Sequence, residues 1–218
     1  MSGRLIVLEG LDGSGKSTQL ARLRERLTGN VRFVKFPDYD SPSSALVKMY
    51  LSGAFGSRPE DVNAYAASAF SAVDRYAGYR SGWGRDYDAG ATILCDRYAT
   101  SNAVHQAAKL KGAERDAYLD WLYDFEFGKL GIPRPDAVLF LDMPVAVSQR
   151  LMTGRYEGHE EKKDIHERDV AYLEHCREAA RYAAARLGWS VVSCAEGDEP
   201  RSRDDIADEI YGIVRQLF

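Results

Sequence analysis

Apolar residues in this chain fall into short β-branched runs alternating with stretches spaced three and four apart, the periods of buried strands and amphipathic helices. Residues 4–9 (RLIVLE) read as a strand, and 16–27 as a helix whose Leu20, Leu23 and Leu27 share a face and which Gly29-Asn30 closes. Residues 31–36 alternate like a second strand that ends at Pro37. Ser43 or Ser44 is expected to cap a helix running to about residue 51, and a long helical stretch over 61–87 is weakened in its second half by Gly78, Gly82 and Gly84. Two compact apolar runs ending in carboxylates, 91–96 and 137–142, read as buried parallel strands, with helices over 102–109 and 114–127 between them. Pro144 suits the first turn of a helix lasting to about residue 152. Residues 153–163 lose the pattern, being charged and broken by Gly154 and Gly158, and read as a surface loop. A helix over 165–187, a strand over 190–193 and a helix over 203–217 complete the chain. Five strands alternating with helices predict an α/β fold, a mainly parallel sheet with helices on both faces.

Length and composition narrow the classes. At 218 residues the chain suits one domain, given roughly 150 residues per domain. Hydrophobic residues at 45% and charged residues at 28% are those of an ordinary globular protein. A formal net charge of -4 without a long basic run argues against a nucleic-acid polymer as partner, though not against a single nucleotide. Cys95, Cys176 and Cys194 are scattered, lack metal-ligand spacing and fit a reducing compartment. With no leader-like N-terminus and no apolar run near 18 residues, a soluble cytoplasmic protein without a membrane partner is expected.

The chemistry starts between the first strand and the first helix. Gly10-Leu11-Asp12-Gly13-Ser14-Gly15-Lys16-Ser17-Thr18 fits the phosphate-cradling pattern G-x-x-x-x-G-K-[ST] at every fixed position, in the strand-loop-helix context that it requires. Backbone N–H groups and the helix N-terminus would face the phosphates of ATP, Lys16 would reach the β- and γ-phosphates, and Ser17 would hold Mg²⁺. In open parallel sheets ligands bind beyond the carboxyl ends of the strands, so Asp96-Arg97-Tyr98 and Asp142 are the next candidates. Asp96 suits a water-mediated hold on Mg²⁺ and Arg97 a grip on a second phosphate; a helix-capping Asp with a surface-paired Arg is the plainer alternative. For Asp142 capping and function are equally open.

These stretches carry a family resemblance. Leu8 to Thr18, Phe36-Pro37-x-Tyr39, Asp74-Arg75, Asp96-Arg97-Tyr98-x-x-Ser101-Asn102, the strand ending at Asp142 and the basic loop before Asp164-x-x-Glu167 resemble thymidylate kinases, which belong to the P-loop NTPase fold, in order and spacing over nearly the whole chain. The resemblance implies one kinase domain over 1–218 that uses ATP and Mg²⁺ to convert dTMP to dTDP in dTTP synthesis, and is compatible with a homodimer. It implies that Asp12 meets the sugar 3′-hydroxyl, Arg97 grips the acceptor phosphate and Tyr39 lies beside it, while Arg75 bonds the pyrimidine and Ser101-Asn102 lie near it. His105 would lie near the sugar in such a pocket, or be a partly buried helix histidine. His159, His166 and His175 have neither metal spacing nor a nucleophile to serve.

An acceptor monophosphate is already ionised near neutral pH, so positioning and charge neutralisation suffice and no strong base is needed. Lys16 and Arg97 would align the two anions, and the loop 153–163 is the candidate lid, with Arg155 as a catalytic cation beside Lys162 and Lys163; a plain solvated loop is the alternative. Three positions depart from the family pattern. Asp38 and Tyr39 occupy a turn where an arginine is often found, Ser71 stands where a ring-stacking aromatic usually lies, with Phe70 one residue early, and Ile165 stands where the lid often has an arginine. A kinase of another nucleoside monophosphate, a deoxynucleoside kinase using Glu9 as base, and an ATP-dependent switch remain open beside the main expectation.

Overall fold

The computed structural model describes residues 2–153, 164–166 and 169–217. The first strand β1 (Arg4–Glu9) leads through the glycine-rich loop into α1 (Lys16–Arg26), followed by β2 (Val31–Lys35) and α2 (Ala45–Leu51). Next come α3 (Ala64–Gly78), α4 (Gly84–Asp88), β3 (Thr92–Asp96), α5 (Thr100–His105), α6 (Gly112–Tyr123) and β4 (Ala137–Asp142). The remainder holds α7 (Val145–Thr153), α8 (Val170–Leu187), β5 (Ser190–Ser193), β6 (Ala195–Glu196), β7 (Glu199–Pro200) and α9 (Arg203–Val214).

The five longer strands form one sheet in the order β2-β3-β1-β4-β5, and every neighbouring pair in it is parallel. The two-residue period of β1 divides its side chains between two cores. Leu5 and Val7 join Ile93, Phe140 and the alanine-rich face of α8 on one side, whereas Ile6 and Leu8 join Leu20, Leu23, Ile206 and Ile210 on the other. Both faces are therefore covered by helices, and the loop after the central strand lies at the carboxyl edge of the sheet, as expected for a doubly wound fold.

Several boundaries moved for identifiable reasons. Helix α3 starts after Asn63, whose side chain accepts from Ala66 N, and Ser41 rather than Ser43 or Ser44 accepts from the backbone ahead of α2. The expected long helix of 61–87 widens into a π turn at Tyr79–Trp83. Gly84 allows that turn to close: a Cβ there would lie 2.5 Å from the Tyr79 carbonyl oxygen. A second π turn, Asp124–Lys129, extends α6. Helix α8 begins only at Val170, where the Asp169 side chain accepts from Tyr172 N. Antiparallel β6 and β7 form a ribbon that two-residue strands could not reveal by alternation.

Asp142 neither caps a helix nor faces open solvent. It accepts from Arg177 Nε at 2.6 Å and Arg181 Nε at 2.8 Å, fastening the end of β4 to α8. Cys95, Cys176 and Cys194 are buried and free. Among the described residues no helix is long and apolar enough to cross a membrane.

Candidate active site

The loop between β1 and α1 turns tightly through Gly13 (φ 79°) and Gly15 (φ 87°), backbone conformations that side chains disfavour. Space excludes a side chain at Gly13 as well, because a Cβ would lie 2.8 Å from the Ser148 carbonyl oxygen. Lys16 curls back over this loop and donates from Nζ to the carbonyls of Gly10 (2.8 Å) and Leu11 (2.9 Å). Burial and the nearby Arg97 guanidinium lower its pKa to about 8, against the pull of Asp12, Asp96 and Glu9. The ammonium thus occupies a site where further negative charge would be stabilising.

The facing wall comes from the end of β3. Arg97 has φ 68°, the left-handed region that only a few per cent of non-glycine residues adopt. Glu9, fully buried at the end of β1, holds the chain just beyond it: its carboxylate accepts from Tyr98 N (3.1 Å), Thr100 Oγ1 (2.6 Å) and Ser101 Oγ (2.9 Å). Burial raises its pKa, opposed by Arg97 and these hydroxyls. Glu9 is a structural brace and is not presented as a base for a hydroxyl acceptor. Arg97 Nη2 donates to Asp12 Oδ1 at 2.7 Å, and its Nη1 lies 3.1 Å from His105 Nε2. Burial resists ionisation of Asp12, but Arg97 and Lys16 outweigh it and hold the carboxyl well below its usual range.

Arginine has only donors, so His105 Nε2 accepts and the imidazole proton resides on Nδ1, which is buried with no hydrogen-bond partner among the described residues. Its ring stacks on His166, with centroids 5.2 Å apart and planes at 17°. His166 in turn meets the Tyr50 hydroxyl at 2.9 Å, and Lys109 donates to that hydroxyl at 3.1 Å. Burial, Lys109 and Arg97 lower the His166 pKa to about 3, despite Asp12. Neither ring is a proton acceptor near neutral pH.

A cavity of about 990 Å³ joins these walls. Asp12, Gly13, Ser14, Gly15, Lys16, Ser17 and Thr18 line it from the loop, and Asp96, Arg97, Ser101, Asn102 and His105 from β3 and α5. Phe36 and Tyr39 line it after β2, Ser71 and Arg75 from α3, and Arg201 and Arg203 from the start of α9. The sequence-expected residues thus converge, except that Gly10 does not line the cavity and that Arg155, with the expected lid, lies outside the described residues. Phe70 is engaged elsewhere, 5.3 Å from the Phe55 ring and 6.5 Å from that of Tyr50.

A divalent cation fits part of this cavity. Asp96 Oδ1 is buried without a hydrogen-bond partner among the described residues, and Ser17 lines the same space. The described residues hold no group of three or more His, Cys, Asp or Glu able to ligate a metal. Such a donor set suits Mg²⁺, which takes one or two protein oxygens and completes its shell with water and phosphate.

Four contributors escaped the sequence reading. They are Glu9 as the brace of the Arg97 turn, Glu126 paired with Arg75, His166 stacked on His105, and Asp74. Asp74 accepts from Asp38 N at 2.8 Å and Ser43 Oγ at 2.6 Å, tying the turn after β2 to α3. In the sequence, Asp74 stands beside Arg75 in a motif, Glu9 stands in the loop motif and reads as a candidate base rather than a brace, and His166 has no readable role; Glu126 carries no signal.

Known proteins resemble this chain along most of its length. The family model described as thymidylate kinase matches residues 8–200. A thymidylate kinase of Mycobacterium tuberculosis is 33% identical over 85% of this chain and 87% of its own length. One from Caenorhabditis elegans is 30% identical over 99% of this chain and 91% of its own. A solved structure of thymidylate kinase from Candida albicans superposes with a TM-score of 0.71 at 22% identity, covering 99% of this chain and 92% of that one, which supports the shared fold. With the family model spanning most of the chain and relatives this similar along their length, the chain belongs to the thymidylate kinase family.

Proposed function

We propose that this protein transfers the γ-phosphoryl group of ATP to the phosphate of dTMP, giving dTDP and ADP. The observation that carries the reading is the pairing of two cations across one cavity. Lys16 sits on the glycine-rich loop, and Arg97, in a left-handed backbone conformation, is held between Asp12 and His105. Two polyanions must approach each other for this transfer, and their repulsion is the main obstacle to bringing them together. Lys16 would neutralise the donor phosphates and Arg97 the acceptor phosphate, while the loop N–H groups orient the donor. Mg²⁺ bound near Ser17 and Asp96 would withdraw charge from the transferring group.

No residue needs to remove a proton from the acceptor, and the site is built accordingly. Glu9 is closed off by its own hydrogen bonds, and His105 and His166 stay neutral. Arg75 would reach the base and Asp12 the sugar. A coupled ADP-release assay across the common nucleoside and deoxynucleoside monophosphates tests the reading. Stimulation by dTMP above all others is expected; a stronger response to another acceptor, or to none, overturns it.

Outside the site, Tyr65, Val73 and Tyr76 form an exposed apolar stripe on one face of α3, and we propose that a second copy of the chain covers it. Val73→Arg should then shift the species seen by light scattering from dimer to monomer, and a monomeric wild type would refute the pairing. Three free, buried thiols suit a reducing cytoplasm.

A further inference from the structure

Arg75 does not enter the cavity as a freely rotating side chain. Its Nε donates to Glu126 Oε2 at 3.2 Å and its Nη2 donates to Glu126 Oε1, a fork in which both partners are almost entirely buried. Among the described residues Glu126 has no other side-chain partner. The carboxylate stands in the π turn Asp124–Lys129, and turns of this kind are enriched at functional sites. Ile132 N donates to the Glu126 carbonyl at 3.3 Å, so the chain beyond the turn folds back on it.

A guanidinium has five N–H donors in one plane. Glu126 takes two of them on one edge, which fixes the plane and leaves three for the rest of the surroundings. Because a guanidinium cannot be deprotonated here and offers no acceptor, whatever base edge it meets must present acceptors. A pyrimidine with a carbonyl at ring position 4 satisfies this; one with an amino group there brings donor against donor.

We propose that Glu126 is a positioning residue for base selection: by clamping Arg75 it aims a fixed donor edge into the acceptor pocket and favours 4-oxo over 4-amino pyrimidine monophosphates. The inference rests on the dTMP reading above and adds a residue that does not line the cavity.

The test is steady-state kinetics with dTMP and dCMP on wild type, Glu126→Gln and Glu126→Asp. Glu126→Gln keeps the shape and loses the charge; Glu126→Asp keeps the charge, with less risk to folding, and pulls the carboxylate back by one methylene. In Glu126→Gln the KM for dTMP should rise at least about tenfold and the preference for dTMP over dCMP should fall about as much, with the KM for ATP unchanged. Glu126→Asp should move the same two quantities by a smaller factor. A core ion pair without this role would lower Tm and leave the KM values and the preference alone. If both folded variants, or Glu126→Asp alone where Glu126→Gln is insoluble, keep wild-type KM and preference while the wild type uses dTMP, the inference fails by itself. A wild type that uses no pyrimidine monophosphate removes the underlying reading and the inference together.

Discussion

Arg97 and Asp12, 85 positions apart, meet at 2.7 Å and join the β3 wall of the cavity to the glycine-rich loop. The pair fixes the guanidinium on one edge, and the left-handed backbone at Arg97 is retained although lysine or arginine gains nothing from it locally. Lysine carries the charge but not the planar fork. Arg97→Lys should therefore lower kcat/KM for dTMP by roughly a hundredfold while the variant stays folded, given what single preorganised donors contribute in such sites. Initial rates over a dTMP series check this, and a loss smaller than about threefold would remove Arg97 from the transfer step.

Asp96 brings a buried carboxylate oxygen without a hydrogen-bond partner among the described residues. Asp96→Asn keeps the volume and removes the charge, so the Mg²⁺ concentration for half-maximal rate should rise at least about tenfold with little change in dTMP affinity. Rates over a magnesium titration at saturating substrates provide the measurement. An unchanged midpoint would show that the oxygen serves packing alone.

The stacked histidines predict an acid limit to stability. Burial, then Arg97 and His166, keep His105 far below 6.5, and His166 lies at about 3. Both are neutral in the fold but charge in the unfolded chain once pH drops below about 6.5. Their contribution is thus complete above that value and declines as pH falls below it, for His166 down to about 3, by up to roughly 1.4 kcal/mol per unit for each group. Glu9, raised by burial, works in the opposite sense, so the informative quantity is a difference. His166→Phe, which retains a ring against His105, should lose less Tm between pH 7 and pH 5 than the wild type. Parallel curves for the two proteins would refute the linkage.

How legible this was depended on sequence distance. The loop from Gly10 to Ser17, the strands and Asp96-Arg97 at a strand end could be read because their signals are local: a glycine spacing, an apolar run, a carboxylate at a strand end; Asp12, Arg75 and Asn102 were expected in the site through the family resemblance, and all line the cavity. The braces could not. Glu9 acts on residues 89 to 92 positions away, Glu126 on one 51 away, and Asp142 on arginines 35 and 39 away. The partners of a buried carboxylate are decided by packing, and no period announces them. His166 escaped for the same reason, since its ring partners come from α2, α5 and α8.

Ser71 lines the cavity one helical turn before Arg75, and Phe70 packs against Phe55 and Tyr50 instead. A ring added at that position would face the same space as the guanidinium. Base stacking on an aromatic contributes about 1–3 kcal/mol, so Ser71→Phe should lower the Kd for dTMP several-fold and leave ATP binding constant. Titration calorimetry with each nucleotide decides it; weaker dTMP binding would mean that the base lies elsewhere in the cavity.

The π turn at the end of α6 makes base choice sensitive to chain length as well as to residue identity. Such a turn holds one residue more than the α-helical turn that it replaces. Deleting a single residue ahead of Glu126, Asp124 or Phe125, would close the turn to regular helix and move Glu126 back by one position, about 100° around the axis, while the chain beyond the turn keeps its place. Glu126 would swing away from Arg75 with every phosphate-binding group untouched. One lost codon would then leave a kinase that still transfers phosphate but no longer distinguishes its pyrimidines, a route to altered substrate range that no substitution scan of the cavity would uncover.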